Sequence, residues 1–202
     1  PPGGKLMARH RARKRFGQHF LTDKNIARKI VDRIIPGNFK SLIEIGPGTG
    51  VLTQLILEKE FPAFHAVELD KESVDYLHTQ FPQHKEKFVL GDFLKYPIDR
   101  HETPVTLIGN LPYFISSQIF FRALEYRDNV NQMVFMIQKE VAERIASPPG
   151  NKTYGILSVL LQAYYNIEYL FTVHEHCFSP APKVKSGVIR LLRNNTTSLR
   201  CN

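Results

Sequence analysis

Apolar residues recur along this chain in two alternating rhythms. Nearly continuous apolar runs at 41–45, 64–69, 88–90, 105–108 and 133–137 are separated by stretches in which apolar residues return every third or fourth position. Runs of about four to eight apolar residues suit strands buried on both faces, and the longer period suits helices with one buried stripe. The helical stretches are predicted after Thr22 or Asp23, either of which can cap a turn carrying Ile26, Ile30 and Ile34 before Pro36-Gly37 ends it. Others follow around Leu52, Leu55 and Ile56, and over 72–79, 116–124, 139–146 and 156–165, with a Pro/Gly-rich surface loop at 147–152. Segments 167–173 and 188–192 read as a closing pair of strands. Strands alternating with helices predict an α/β fold with a mainly parallel sheet.

Composition narrows this picture without changing it. A chain of 202 residues buries one sizeable core. Its 43% apolar and 23% charged residues are ordinary for a globular domain. No apolar run approaches the roughly 20 residues that span a bilayer, and no signal-peptide core opens the chain, so no membrane partner is expected. The two cysteines, Cys177 and Cys201, have neither metal-type spacing nor the number for a disulfide framework. The expectation is a reducing, cytoplasmic setting with no metal. Net charge is +8, and six of the cations (Lys5, Arg9, Arg11, Arg13, Lys14 and Arg15) fall in residues 1–15, which hold no acid. Such an arm is either a solvated tail or a phosphate-neutralising segment, the latter making binding strongly salt-dependent.

Candidate chemistry lies at the ends of the predicted strands. Glu44-Ile45-Gly46-Pro47-Gly48-Thr49-Gly50 forms the first strand-to-helix turn, where glycines let the backbone approach a ligand. A dinucleotide G-x-G-x-x-G would need its third glycine at the position of Val51, and no G-K-[ST] follows. The turn therefore fits a cofactor that needs backbone proximity but carries no phosphate, such as S-adenosylmethionine. Glu68 ends the second strand about 20 residues past the glycines, where an acid accepts from ribose hydroxyls, and Asp70 competes for that role. Gly91-Asp92 follows the third strand, where a carboxylate can accept from an adenine amine. Three signals at the carboxyl ends of successive strands reinforce one another, because open α/β sheets bind ligands along that edge.

Asn110-Leu111-Pro112-Tyr113 follows the fourth strand. An amine that attacks a methyl group needs its lone pair free and its protons held by acceptors. The Asn110 side-chain oxygen and the next backbone carbonyl can be those acceptors, and Tyr113 can stack on a planar base. No strong general base is needed when the leaving group is a sulfonium, so alignment supplies most of the acceleration.

Four segments together resemble the ribosomal RNA adenine dimethyltransferases, in particular the bacterial small-subunit type. They are Phe16-Gly17-Gln18-His19-Phe20-Leu21, the glycine turn, Asn110-Leu111-Pro112-Tyr113 with Ile115-Ser116, and Phe178-Ser179-Pro180-Ala181-Pro182-Lys183-Val184. The resemblance implies a Rossmann-like class I methyltransferase fold, with a seven-stranded, mainly parallel sheet, an antiparallel last strand and helices on both faces. It implies S-adenosyl-L-methionine as cofactor, contacted by His19 and Leu21, with Gly46 and Gly48 at its methionine portion, Glu68 at its ribose and Asp92 at its adenine. Asn110 would sit between cofactor and target amine, in a catalytic set with Leu111, Pro112 and Tyr113, and Phe178 would sandwich a flipped base against Tyr113. Arg11, Arg13, Lys14, Arg15, Lys183 and Lys185 would contact RNA.

The partner so implied is the small ribosomal subunit with its 16S rRNA, met by a monomer. The predicted organisation is a basic arm over 1–15, a methyltransferase domain over 16–195, and over 196–202 the start of a linker to a further helical domain. Competing readings are a large-subunit rRNA methyltransferase of the macrolide-resistance type, a non-catalytic ribosome-assembly or transcription factor, and a DNA adenine methyltransferase.

Overall fold

The computed structural model describes residues 19–150 and 155–194. The basic arm, Gln18, Cys201 and the segment 196–202 lie outside the described residues. Nine strands can be numbered in chain order: β1 (Phe20–Leu21), β2 (Ser41–Ile45), β3 (Phe64–Glu68), β4 (Phe88–Leu90), β5 (Val105–Asn110), β6 (Val130–Gln138), β7 (Tyr165–Val173), β8 (Phe178–Ser179) and β9 (Ser186–Arg193). The helices are α1 (Lys24–Val31), α2 (Val51–Glu58), α3 (Lys71–Gln80), α4 (Ser116–Glu125), α5 (Lys139–Ala146) and α6 (Ile156–Tyr164).

Seven strands form one sheet in the order β4-β3-β2-β5-β6-β9-β7. The pairings from β4 to β6 are parallel, and β9 runs antiparallel to both β6 and β7. This is the predicted seven-stranded arrangement with an antiparallel last strand. Side chains on successive strand residues point to opposite faces, so the core divides in two. Leu42, Ala66, Ile108 and Val134 face α1, α2 and α3, whereas Ile43, Val67, Leu107 and Phe135 face α4, α5 and α6. Both faces are covered, which is why β2 is buried at every position.

Of the two cap candidates it is Asp23 that caps α1, accepting from the backbone N–H groups of Asn25 and Ile26. The structure departs from the sequence expectation in four places. Helix α1 ends at Val31, short of Ile34. The turn beyond it is anchored by the fully buried Gln132, which accepts from the Ile35 N–H and donates to the Ile35 carbonyl. The strand predicted at 133 begins three residues earlier, at Val130. Tyr165 leaves the helical stretch to open β7 and donates its hydroxyl hydrogen to the Val130 carbonyl at 2.8 Å. Finally, β1 and β8 form a separate antiparallel pair that no periodicity announces. Among the described residues, no helix is long and apolar enough to cross a membrane.

Gly109 makes the close contact between β2 and β5 possible, since a Cβ there would stand 2.7 Å from the Ile45 carbonyl oxygen. That neighbour is backbone and cannot swing aside. Gly109→Ala is expected to cost about 1–3 kcal/mol through overpacking. Thermal denaturation checks this; an unchanged melting temperature would show that the sheet absorbs the methyl group without strain.

Candidate active site

The carboxyl edge of β2, β3, β4 and β5 opens into two adjoining cavities that share Gly46 and Pro112. The first is bordered by His19, Phe20, Leu21, Glu44, Asn110 and Tyr113. The second, of about 270 Å³, is bordered by Glu68, Leu69, Asp92, Phe93 and Phe114 and is largely apolar between its two acids. The sequence therefore brought together residues that lie far apart along the chain.

The glycine turn shapes the junction. Gly46 and Gly48 adopt φ of +65° and +58°, a region in which a side chain is strained. A Cβ on Gly46 would meet nothing within 4 Å and would project into the open cleft. A Cβ on Gly48 would stand 2.8 Å from the Phe20 ring, so β1 packs directly onto this turn. The space kept clear at Gly46, flanked by carboxylates, fits an elongated cofactor lying across both cavities with a cationic end.

The acids divide their duties. Glu68 is 2% exposed; one carboxylate oxygen accepts from the Gly48 N–H at 3.0 Å and the other from the Asp70 N–H at 3.1 Å. Each carboxylate oxygen has two lone-pair sites, so acceptor capacity remains for ribose hydroxyls. Burial pushes the Glu68 carboxyl up, while these backbone bonds pull it down. Asp70, the competitor for that role, caps α3 instead, accepting from both the N–H and the hydroxyl of Ser73. Asp92 accepts from the Leu94 N–H at 2.9 Å and stands beside the second cavity.

Pairing of β1 with β8 builds the other wall. Phe20 stands opposite Ser179 and Leu21 opposite Phe178, and the Thr22 N–H and hydroxyl both donate to the Cys177 carbonyl. His19 Nδ1 lies 2.8 Å from the Pro180 carbonyl. A carbonyl only accepts, so Nδ1 carries the hydrogen in this contact. The Asn110 amide donates through Nδ2 to the His19 carbonyl at 3.2 Å. That bond fixes the amide orientation and leaves Oδ1 to accept from a ligand. Leu111 is buried with its N–H on the Met136 carbonyl, which holds the Asn-Leu-Pro-Tyr segment against the sheet. The Tyr113 hydroxyl bonds Ser186 Oγ at 2.5 Å, and its ring centroid lies 6.0 Å from that of His19 at a 31° tilt.

Phe178, expected as an aromatic wall opposite Tyr113, is 4% exposed, packs in the core with its cross-strand partner Leu21, and is not among the residues that border the two cavities. The ring facing Tyr113 belongs to His19. Lys183 is exposed and Lys185 half-buried between β8 and β9, apart from the cavity linings, and Arg11, Arg13, Lys14 and Arg15 lie outside the described residues.

Phe20 and Glu44 are among the bordering residues that carried no assigned role. Phe20 packs on the glycine turn. Glu44 is 1% exposed and accepts from the Thr53 hydroxyl at 2.5 Å. Burial pushes its carboxyl up to about 8, Thr53 opposes this, and the Glu68 charge adds to it. The signal in the sequence was an acid inside an otherwise apolar strand.

Comparison with known proteins agrees with this geometry. The sequence model for "Ribosomal RNA adenine dimethylase" matches residues 9–200. "Ribosomal RNA small subunit methyltransferase A" of Cytophaga hutchinsonii is 54% identical over 198 residues, 97% of this chain and 77% of that protein. The protein of the same name from Phocaeicola vulgatus is 54% identical over 192 residues, 94% of this chain and 68% of its own length. A dimethyladenosine transferase from Plasmodium falciparum superposes with a TM-score of 0.76 at 25% identity, over 87% of this chain and 64% of that one. The 23S rRNA methyltransferase ErmE gives a TM-score of 0.75 at 25% identity, over 87% of this chain and 70% of that one. With the glycine turn, the acids and the Asn-Leu-Pro-Tyr segment gathered along one sheet edge, the chain belongs to the ribosomal RNA adenine dimethylase family of S-adenosyl-L-methionine-dependent methyltransferases.

Proposed function

We propose that this protein transfers methyl groups from S-adenosyl-L-methionine to the N6 amines of two adjacent adenosines near the 3′ end of 16S rRNA, giving N6,N6-dimethyladenosine during small-subunit biogenesis. It acts as a monomer in the cytoplasm, where its ribosomal substrate is assembled. The observation that carries the reading is the fixed Asn110 amide, whose Nδ2 is held by the His19 carbonyl so that Oδ1 is presented to a ligand. Identity of 54% to two proteins named as small-subunit methyltransferases, against 25% to the 23S enzyme, favours the small subunit.

The cofactor supplies a methyl group already activated on a sulfonium. Asn110 Oδ1 and the Leu111 carbonyl accept the amine hydrogens and turn the nitrogen lone pair toward that methyl. Glu68 and Asp92 hold the ribose and adenine of the donor. The target base leaves its stack at a cost of a few kcal/mol. Stacking at about 1–3 kcal/mol per base offsets that cost, with Tyr113 and His19 as the facing rings. Lys183, Lys185 and the arm cations Arg11, Arg13, Lys14 and Arg15 neutralise phosphates along the approach.

Three outcomes test this reading. Unmodified small subunits incubated with protein and cofactor should gain dimethyladenosine, mapped by mass spectrometry; product on large subunits alone would overturn the assignment. Asn110→Ala should lower turnover at least 10³-fold while cofactor affinity, read by calorimetry, stays within a few-fold; wild-type turnover would remove Asn110 from the mechanism. Gly46→Val fills the cleft where a Cβ now meets nothing, and should weaken cofactor binding at least tenfold without loss of folding by circular dichroism. Unaltered affinity would place the cofactor elsewhere.

A further inference from the structure

Helix α1 and the turn after it carry four cations that no carboxylate answers. Lys24, Arg28 and Lys29 are exposed on the helix, and Arg33 is half-buried just beyond it. Among the described residues none of the four forms an ion pair. The acids nearby are engaged elsewhere: Asp32 pairs with Lys59, Glu168 pairs with Arg190, and Asp23 caps the helix. The cations are also poorly placed for stability. Lys24 opens the helix, where the dipole disfavours positive charge. Lys24 and Arg28 lie four positions apart on it, a spacing at which like charges repel. Lys29 and Arg33 are brought together by a ring, with Lys29 Nζ 4.1 Å and Arg33 Cζ 5.6 Å from the centroid of Phe171 on β7. A polyanion laid on this face would relieve the repulsion that the protein leaves uncompensated.

We propose that the outer face of α1, with Lys24, Arg28, Lys29 and Arg33, holds the phosphate backbone of the substrate RNA beside the cleft. This role rests on the rRNA reading above and deepens it, since the four lie outside the RNA contacts expected from the sequence. Position favours RNA. Strand β1 borders the first cavity, and α1 begins three residues after it. Leu21 and Lys24 border a further cavity of about 380 Å³, which meets the first one at Leu21, Thr49 and Val51. RNA flanking an adenosine drawn into the first cavity meets Lys24 first, and the helix then leads it to Arg28, one turn on. A membrane fits this face less well. The apolar residues of the helix, Ala27, Ile30 and Val31, are buried in the core, so it offers lipid only charge and no anchoring side chain. Each cation that neutralises a phosphate releases a counterion, which steepens the salt dependence of binding. Such contacts carry no base information, so the face sets the strength and orientation of docking while the cleft selects the base.

Filter binding of the whole chain to unmodified small subunits, over a series of potassium chloride concentrations at fixed magnesium, reads these contacts. Lys24→Gln/Arg28→Gln should flatten the slope of log affinity against log salt by about 1.4–1.8, at roughly 0.7–0.9 per lost contact. Its melting temperature at low salt should hold or rise, because a repulsion has been removed. Lys29→Gln/Arg33→Gln should flatten the slope by a similar amount. Lys85→Gln/Lys87→Gln, which removes equal charge from the turn before β4, should keep the wild-type slope. Wild-type slopes in both α1 variants, or an equal loss in the Lys85/Lys87 control, would overturn the proposal and leave the small-subunit reading standing. So would a lowered melting temperature in Lys24→Gln/Arg28→Gln, which would mark those cations as structural. Weaker binding of the α1 variants to phosphatidylserine vesicles, with an unaltered slope on subunits, would overturn it in favour of a membrane. Binding of wild type to large subunits alone would overturn the small-subunit reading, and the same comparison of slopes on that RNA then decides the face. Failure to bind either subunit would overturn both.

Discussion

The parallel ladder around β2 fixes where every candidate group stands. Glu44 is level with Ala66 on β3 and with Ile108 on β5. Two residues further on come Gly46, just past the end of β2, and Glu68 and Asn110, the last residues of β3 and β5. Glu68 is in turn level with Leu90, and Asp92 lies two residues beyond it. The residues proposed as cofactor contact, ribose acceptor, adenine acceptor and methyl-transfer residue are thus brought to one edge by strand register before any side chain contributes. Because side chains alternate along a strand, a slip of one residue in either pairing would turn the buried set outward. The apolar runs that fill both faces penalise such a slip, so core packing and site geometry are held by the same constraint.

Onto that row the β1–β8 pair adds what the sheet cannot supply. Its strands are two residues each, yet they bring His19 to Asn110 and Tyr113, and press Phe20 onto Gly48. The His19 carbonyl decides which end of the Asn110 amide is free. A short stretch of antiparallel backbone therefore sets the direction in which the Asn110 amide presents its oxygen. The acids show a parallel economy: Asp70 is used up as a helix cap, Glu68 is steadied by two N–H groups, and Glu44 keeps a single hydroxyl.

The main sheet was legible in the sequence because its strands are uninterrupted apolar runs separated by turn residues. Their ends, marked by Gly46, Glu68, Asp92 and Asn110, pointed to the cleft for the same reason. The β1–β8 pair was not legible: two residues are too few to display a period, and its halves lie more than 150 positions apart, as the 155-residue span from Thr22 to Cys177 shows. Without that pairing, nothing in the local sequence tells that Phe178 packs in the core beside Leu21. The ionisation of Glu44 was equally hidden, since it depends on burial between two sheets of side chains and on Thr53 nine positions away. Tyr165 reads as the end of a helix by its neighbours, but it pairs with Arg193 of β9 and donates its hydroxyl hydrogen to the Val130 carbonyl.

The order β6-β9-β7 has a consequence for how the chain is made. Among the described strands β7 pairs with β9 alone, which is synthesised after it, and β9 is wedged between two strands that precede it. On the ribosome, β2 through β6 can assemble as they emerge, but β7 must wait beside the nascent sheet until residues 186–193 have cleared the exit tunnel. At the usual pace of about 5–20 residues per second, that wait lasts seconds at most. During it the edge of β6 is uncovered, and the cleft lacks Ser186, the residue that holds Tyr113. Among the described strands β9 is the last translated, and it both seals the sheet and brings Ser186 to Tyr113, so a protein whose synthesis stalls before it would lack both.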